Sequence, residues 1–430
     1  MSLIERVHGR RVWDSRGRPT VEAEVTLRGG VIGRAIAPAG ASRGSGEAVD
    51  LRDGGRRFGG FDVLRALDAI DGVIAAALRG RDAGDQARVD AALIAADGTR
   101  DKSRLGGNAL TAVSLATAQA AAASRGMPLW RHLAGDAKVA LPLPQIQIFG
   151  GGAHAARRLD LQDFMIIPVG AWTYGDALAV VADIYRAAGE LLAEAGKLAG
   201  VADEGGYWPQ FDTNEEALST LVRAIERAGY RPGSDAAIAL DCAASQFGRG
   251  GRYRLALEDR TLDGDGLASL WLDWLARYPI VSIEDPFAED DNAAWKRFAR
   301  ACAGRVQIVG DDLLVTDADR IALAAAERLC NAVLLKPNQA GTLSETRAAL
   351  DVARRGAMGT IVSARSGETE DVAIAHLAVG WSCGQIKVGS FARGERMAKW
   401  NELLRIEEVL GARAPFAGAA ALPIARSSGG

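Results

Sequence analysis

Residues 332–346 read AVLLKPNQAGTLSET, and their texture decides the fold. Four apolar residues end on Lys336, a Pro–Asn–Gln turn follows, and an Ala/Leu/Arg helical pattern comes next. The same kind of unit recurs along the chain. The apolar runs are Pro144–Phe149, Phe164–Val169, Ala237–Leu240, Ile280–Ile283, Val306–Val309, Ala332–Leu335, Thr360–Val362 and Gln385–Val388. Continuous apolar strands alternating with helices predict a parallel sheet buried on both faces. Eight such units predict a closed (β/α)₈ barrel, which takes ~250 residues in typical cases. An open doubly wound sheet would want a Gly-rich phosphate loop after an early strand, and no GxGxxG or GxxxxGK[ST] occurs there.

The first ~135 residues have a different pattern and predict a small α+β domain with strands first and helices after. Thr20–Leu27 alternates apolar and polar residues, as a half-buried strand does. Gly29 and Gly30 supply a turn into a second strand over Val31–Ala37. Pro38–Gly46 (PAGASRGSG) has neither period and reads as a polar, mobile loop. Helical patterns occupy Asp62–Leu78, Asp85–Ala96 and Asn108–Arg125. The closing Ser427–Gly430 reads as a frayed end.

Composition narrows the function classes. Apolar residues make up 48% of the 430 and charged residues 24%, the balance of a soluble globular protein rather than a disordered one. The 51 basic and 54 acidic residues nearly cancel, so no broad basic field exists to attract nucleic acid. Cys242, Cys302, Cys330 and Cys383 form no CxxC pair, which argues against a zinc ribbon or disulfide scaffold and fits a reducing, cytoplasmic setting. The start, MSLIERVHGR, lacks the apolar core of an export signal. Ala109–Ser124 is interrupted by Ser, Thr and Gln and reads as a buried helix rather than a membrane span.

The chemistry sits at the strand ends. Asp241, Glu284, Asp311, Lys336 and Arg365–Ser366 each follow an apolar run, and Lys387 lies within QIKVGS. A barrel places such residues around its C-terminal rim, where these folds keep their active sites. Three carboxylates from three strands form a hard oxygen cage suited to Mg²⁺. Zinc would prefer His and Cys, and the chain has only His8, His132, His154 and His376. Two lysines and an arginine beside the cage suit an anionic substrate. A lysine near a divalent cation is pushed toward its neutral form. The set reads as metal-assisted proton abstraction next to a carboxylate, by way of an enediolate. Any one of these residues read alone is as well explained by a structural ion pair. Asp311 and Asp312 are adjacent, and spacing does not choose between them. Glu204 in ADEGG, His154 in GGGAHAA, and Gln162 and Asp163 in LQDFM are weak signals taken singly, and Asp163 equally suits a solvated strand start.

Taken together, the motifs resemble the enolase family. VWDSRGRPTVE (12–22), Gly40–Ser42 with EAVDLRD (47–53), LQDFMIIPVGA, DEGG, ALDCAAS, SIEDPFAEDD, VGDDLLVT, LLKPNQAGTLSET, SARSGETED, QIKVGS and ERMAKWNELLRIEE stand in the family order over nearly the whole chain. The resemblance implies an N-terminal α+β capping domain (1–135) on an enolase-type (β/α)₈ barrel (136–430) whose second strand runs antiparallel. It implies a Mg²⁺-dependent hydro-lyase that dehydrates 2-phosphoglycerate to phosphoenolpyruvate, and a homodimer or higher homo-oligomer. Residue by residue, it assigns Asp241, Glu284 and Asp311 to the first Mg²⁺. Lys336 matches the general base and Glu204 the acid that helps hydroxide leave. Lys387 matches the substrate-carboxylate contact, Arg365 and Ser366 the phosphate contacts, and His154, Gln162 and Asp163 further substrate-side residues.

Three positions depart from the family pattern. Asp163 stands where the family has Glu, Ala364 where it has His, and Ala39 where it has the first serine of the mobile loop. QIQIFGGG (145–152) also stands where Asn residues usually precede Gly–Gly. Asp163 is one methylene short, ~1.5 Å, and a shift of that size can cost ~10²-fold in rate. Ala39 leaves a main-chain carbonyl able to reach a metal. These changes keep two other readings open. One is a family member acting on a modified substrate, such as a phosphonate-substituted glycerate or enolpyruvate. The other is a catalytically weak or silent homologue. An acid-sugar dehydratase of the wider superfamily would lack the LLKPNQAGT and RSGETED strings.

Overall fold

A computed structural model describes residues 2–41, 44–411 and 414–424. Ser42 of the expected mobile loop and the expected frayed end at 427–430 lie outside the described residues. The N-terminal part is a three-stranded antiparallel meander of β1 (Ile4–Trp13), β2 (Pro19–Leu27) and β3 (Ile32–Ile36), followed by helices. β1 was not anticipated, because its alternation is broken by arginines that pair outward; Arg10, for example, bonds Glu22 and Glu24 on β2. The three expected helices appear at 64–78, with a π turn at Ile70–Ile74, at Gln86–Asp97 and at Gly107–Ser124. The last is buried on nearly every side, and its small residues let β3 lie almost on its backbone. A Cβ added at Gly33 would stand 2.2 Å from the Ala116 carbonyl oxygen.

The second part closes into an eight-stranded ring. Its strands are β4 (Leu143–Gly150), β5 (Asp163–Ile167), β6 (Ala237–Asp241), β7 (Ile280–Glu284), β8 (Gln307–Gly310), β9 (Ala332–Leu335), β10 (Gly359–Ser363) and β11 (Gln385–Ser390). They neighbour one another in chain order, and β11 pairs in parallel with β4 to close the barrel. β5 alone runs antiparallel to both neighbours. Its reversed direction puts its first residue, Asp163, on the rim that the other strands reach with their last. Asp163 pairs in register with Asp241 and is buried, so it is not the solvated strand-start acid that the sequence allowed.

Inside the barrel, below that rim, lies a polar layer that the apolar runs had hidden. The Gln385 side-chain oxygen accepts from Gln145 at 2.8 Å and from Gln307 at 3.1 Å. Gln307 also donates to Ser282 at 2.8 Å, and its oxygen accepts from Gln385 at 2.7 Å. All four residues are buried. Gln145, Ser282 and Gln385 are followed two residues later by Gln147, Glu284 and Lys387.

The helical part of the first region docks on the second through buried polar contacts. Asp90 accepts from the Ser344 hydroxyl at 2.7 Å and from its backbone N–H at 2.9 Å. Among the described residues no helix is long and apolar enough to cross a membrane, and all four cysteines are free and buried.

A buried donor or acceptor stripped of its partner costs about 1–3 kcal/mol. Gln385→Met strips partners from Gln145 and Gln307 together. It is expected to lower stability by about 2–5 kcal/mol, read as a lower urea midpoint at unchanged slope.

Candidate active site

The rim gathers the anticipated residues around one small cavity. Its walls include His154, Gln162, Asp163 and Glu204 on one flank and Lys336, Arg365, Ser366 and Lys387 on the other part of the ring. A larger cleft, about 1000 Å³ against about 320 Å³, lies elsewhere. Its charged residues Arg249, Arg252, Arg254 and Asp290 are exposed and do not converge, so the smaller cavity is the chemical one.

Lys387 is the centre of charge. Its Nζ lies 2.6 Å from Asp241 Oδ2, 2.9 Å from Glu284 Oε2 and 3.3 Å from Asp163 Oδ2. Burial opposes its charge, but the three carboxylates outweigh burial and hold its pKa well above the ordinary lysine value. Glu284 feels the opposite balance. Burial and the neighbouring Asp241 push its pKa well above the carboxylate range. Its Oε1 is buried with no hydrogen-bond partner among the described residues. Asp163, also buried, is pushed up to about 6 despite Lys387.

Asp311 is held by two neighbours. Lys336 Nζ donates to its Oδ2 at 2.5 Å and Gln339 donates to its Oδ1 at 2.9 Å. Burial would raise Asp311, yet Lys336 more than offsets this and the net shift is downward. Lys336 was expected to drift toward neutrality. In this charge arrangement burial does pull it down, but Asp311 pulls harder and the lysine is raised.

Two triads of acidic or histidine side chains are close enough to hold an ion. One is His154, Asp163 and Glu204; the other is Asp285, Asp311 and Asp312. Neither is the expected set of Asp241, Glu284 and Asp311. Asp285 is already committed, however. Its two oxygens accept the backbone N–H groups of Asp311 and Asp312 at 2.9 and 2.7 Å. It therefore shapes the turn after β8, with each oxygen already accepting one backbone N–H, and it does so from a left-handed conformation, φ 41°. The sequence contained it within SIEDPF, but nothing there marked it apart from its neighbours. Asp241, Glu284 and Asp311 end or follow three adjacent strands. They offer only hard oxygen donors, with the Glu284 orphan oxygen among them. That donor set fits a divalent cation of the Mg²⁺ type.

His154 and Glu204 form the other working pair. His154 Nδ1 lies 3.1 Å from Glu204 Oε1. Burial disfavours the imidazolium, but Glu204 more than compensates and raises His154. Burial likewise opposes the Glu204 carboxylate, and His154 reverses this, holding Glu204 well below the ordinary range. The two groups favour each other's charged forms, and His154 Nδ1 makes no hydrogen bond among the described residues. Gln162 donates to Asp241 Oδ2 at 2.9 Å and accepts from Gln246 at 2.5 Å, so it braces the carboxylate as well as lining the cavity.

Arg365 and Ser366 are engaged by the loop from the first region. Arg365 Nη1 lies 2.9 Å from Glu47 Oε2. Ser366 Oγ accepts from the Ala41 N–H at 2.6 Å. Beneath them the fully buried Arg396 donates to the carbonyls of Arg365 at 2.7 Å and Ser366 at 2.5 Å. Glu47 was quoted in the sequence only as part of a motif; its distance of more than 300 residues from Arg365 hid the pairing. The Ala39 carbonyl, which seemed available to a metal, is instead bonded by Arg16 at 2.9 Å and by the Gly367 N–H at 2.9 Å. Ala364 lines the cavity with a methyl group only.

Comparison with known proteins agrees with this architecture. The family model described as the enolase N-terminal domain matches residues 4–133, and that of the enolase C-terminal TIM barrel domain matches residues 138–424. A curated enolase from Rubrobacter xylanophilus is 49% identical over 419 residues, 97% of either chain. With the antiparallel second strand, the rim carboxylates and a full-length relative in agreement, the chain belongs to the enolase family.

Proposed function

We propose that the protein is a Mg²⁺-dependent hydro-lyase that converts 2-phosphoglycerate to phosphoenolpyruvate and water. The observation that carries this reading is the presence of one buried lysine, Lys336, and the close His154–Glu204 pair in the same cavity. Lys336 follows β9, and Glu204 and His154 reach the same cavity from loops outside that strand. A base and an acid lining one cavity are what an elimination across a C–C bond needs.

In this reading Asp241, Glu284 and Asp311 hold Mg²⁺, which when bound supplies positive charge against the substrate carboxylate and takes up charge on Asp311 that now holds the Lys336 proton. With Asp311 shared with the cation, Lys336 would release one proton to solvent, and its freed Nζ lone pair accepts the proton from the substrate's second carbon. Glu204 passes the proton stored with His154 to the hydroxyl on the third carbon, and the C–O bond breaks as the C=C bond forms. Lys387 orients the substrate carboxylate, and Arg365 and Ser366 receive the phosphate, displacing Glu47 and the Ala41 N–H. The buried walls exclude bulk water and sharpen every one of these charges. Residues 1–135 act as the cap and 136–430 as the catalytic barrel, in a cytoplasmic homo-oligomer of at least two chains. The 49% identity to a curated enolase favours this substrate over a modified one.

Purified protein with Mg²⁺ is expected to turn over 2-phosphoglycerate, with the enolpyruvate absorbance rising and EDTA abolishing the rise. No turnover with metal present would overturn the reading. Lys336→Ala is expected to lose both turnover and exchange of the substrate α-proton into D₂O. Glu204→Gln should cut turnover by about 10²–10⁴-fold while keeping that exchange. Loss of exchange in Glu204→Gln, or its survival in Lys336→Ala, would reverse the assignment of base and acid.

A further inference from the structure

Gln147 is buried on β4 and belongs to none of the roles above. Its side-chain oxygen accepts the Gly206 backbone N–H at 2.8 Å. A backbone N–H can only donate, so this bond fixes which way the amide faces. The amide nitrogen is thereby aimed at Asp163, and it donates to Asp163 Oδ1. With Oδ1 taken, Oδ2 is the oxygen left facing Lys387, and it has no hydrogen-bond partner of its own among the described residues. Gly206 closes the loop that carries Glu204, and there is room for the Gln147 side chain because position 206 has none. A Cβ there would stand 2.4 Å from Gln147 Oε1.

We infer that Gln147 is a positioning residue for the elimination half of the reaction, clamping the Asp163 carboxylate to the Glu204 loop in one rigid unit. The inference rests on the reading in Proposed function. The reach of the clamp is set by two side chains together. A glutamine spans one methylene more than asparagine, and an aspartate one less than glutamate. The pair is therefore length-matched: shortening Gln147 alone opens a gap, lengthening Asp163 alone makes a clash, and exchanging both lengths closes the distance again. Lys336 lies on the far part of the ring, so proton abstraction does not pass through the clamp.

Three variants test this: Gln147→Met, which keeps the bulk and removes both hydrogen bonds, Gln147→Asn, and Gln147→Asn combined with Asp163→Glu. In Gln147→Met and Gln147→Asn, dehydration of 2-phosphoglycerate is expected to fall at least tenfold in kcat with KM nearly unchanged, while α-proton exchange into D₂O stays near the parent rate. The double variant should regain most of the lost kcat. Deuterium uptake of the peptide containing Gly206, followed by mass spectrometry without substrate, should rise in Gln147→Met, because the Gly206 N–H loses its acceptor. Parent-like kcat in Gln147→Met would overturn the inference, as would equal losses of exchange and dehydration, or a double variant no better than Gln147→Asn. A parent protein that does not act on 2-phosphoglycerate would overturn the functional reading instead. Deuterium uptake would still decide the clamp, with parent-like uptake in Gln147→Met refuting it.

Discussion

Lys387 placed among Asp163, Asp241 and Glu284 is the contact on which the rest of the site depends. Three buried carboxylates cannot share a cavity without a cation; removing one partner from such a cluster leaves uncompensated charge in a low-dielectric interior. Lys387 supplies that cation from β11, the strand that closes the ring against β4. Closure of the barrel and neutralisation of its rim are therefore one event. The polar layer of Gln145, Ser282, Gln307 and Gln385 supports it from below, fixing the strands that carry Glu284 and Lys387. Arg396 does the same for the Arg365–Ser366 turn by binding its carbonyls.

The two halves of the proposed chemistry are built with different electrostatics. Lys336 and Asp311 share a proton tightly on one part of the ring, both held in their charged forms. His154 and Glu204 favour each other's charged forms on the other. In each pair burial disfavours both charges and the partner restores them. Both pairs are poised to change state when substrate or a divalent cation alters the local charge, because the balance in each is between two large opposing effects. Glu47 on Arg365 completes the pattern, an internal carboxylate on the guanidinium proposed to receive phosphate.

The sequence made the barrel legible because the strands are short apolar runs, several of them followed by a charged residue, and that period survives without any knowledge of contacts. The eight runs match the eight strands to within a residue or two at most ends. The candidate residues were legible for the same reason, since a strand end is also a rim position. Asp163 was ambiguous because its strand is reversed, and direction is not written in an apolar run. Contacts between distant parts of the chain were not legible: Glu47 with Arg365, Asp285 with the Asp311–Asp312 turn, and Gln147 with Asp163 and Gly206. Each involves an ordinary polar residue whose meaning comes from what the fold brings beside it.

The central claim is that the cation cage is Asp241, Glu284 and Asp311, with Asp285 shaping the backbone and Asp312 outside the cage. Calorimetric titration of Mg²⁺ into the full-length protein and into Asp241→Asn, Glu284→Gln, Asp311→Asn and Asp312→Asn tests it directly. The account predicts that each of the first three weakens Mg²⁺ at least tenfold and that Asp312→Asn binds nearly as the parent does. Parent-like binding in Asp241→Asn and Glu284→Gln, with binding lost in Asp312→Asn, would contradict it.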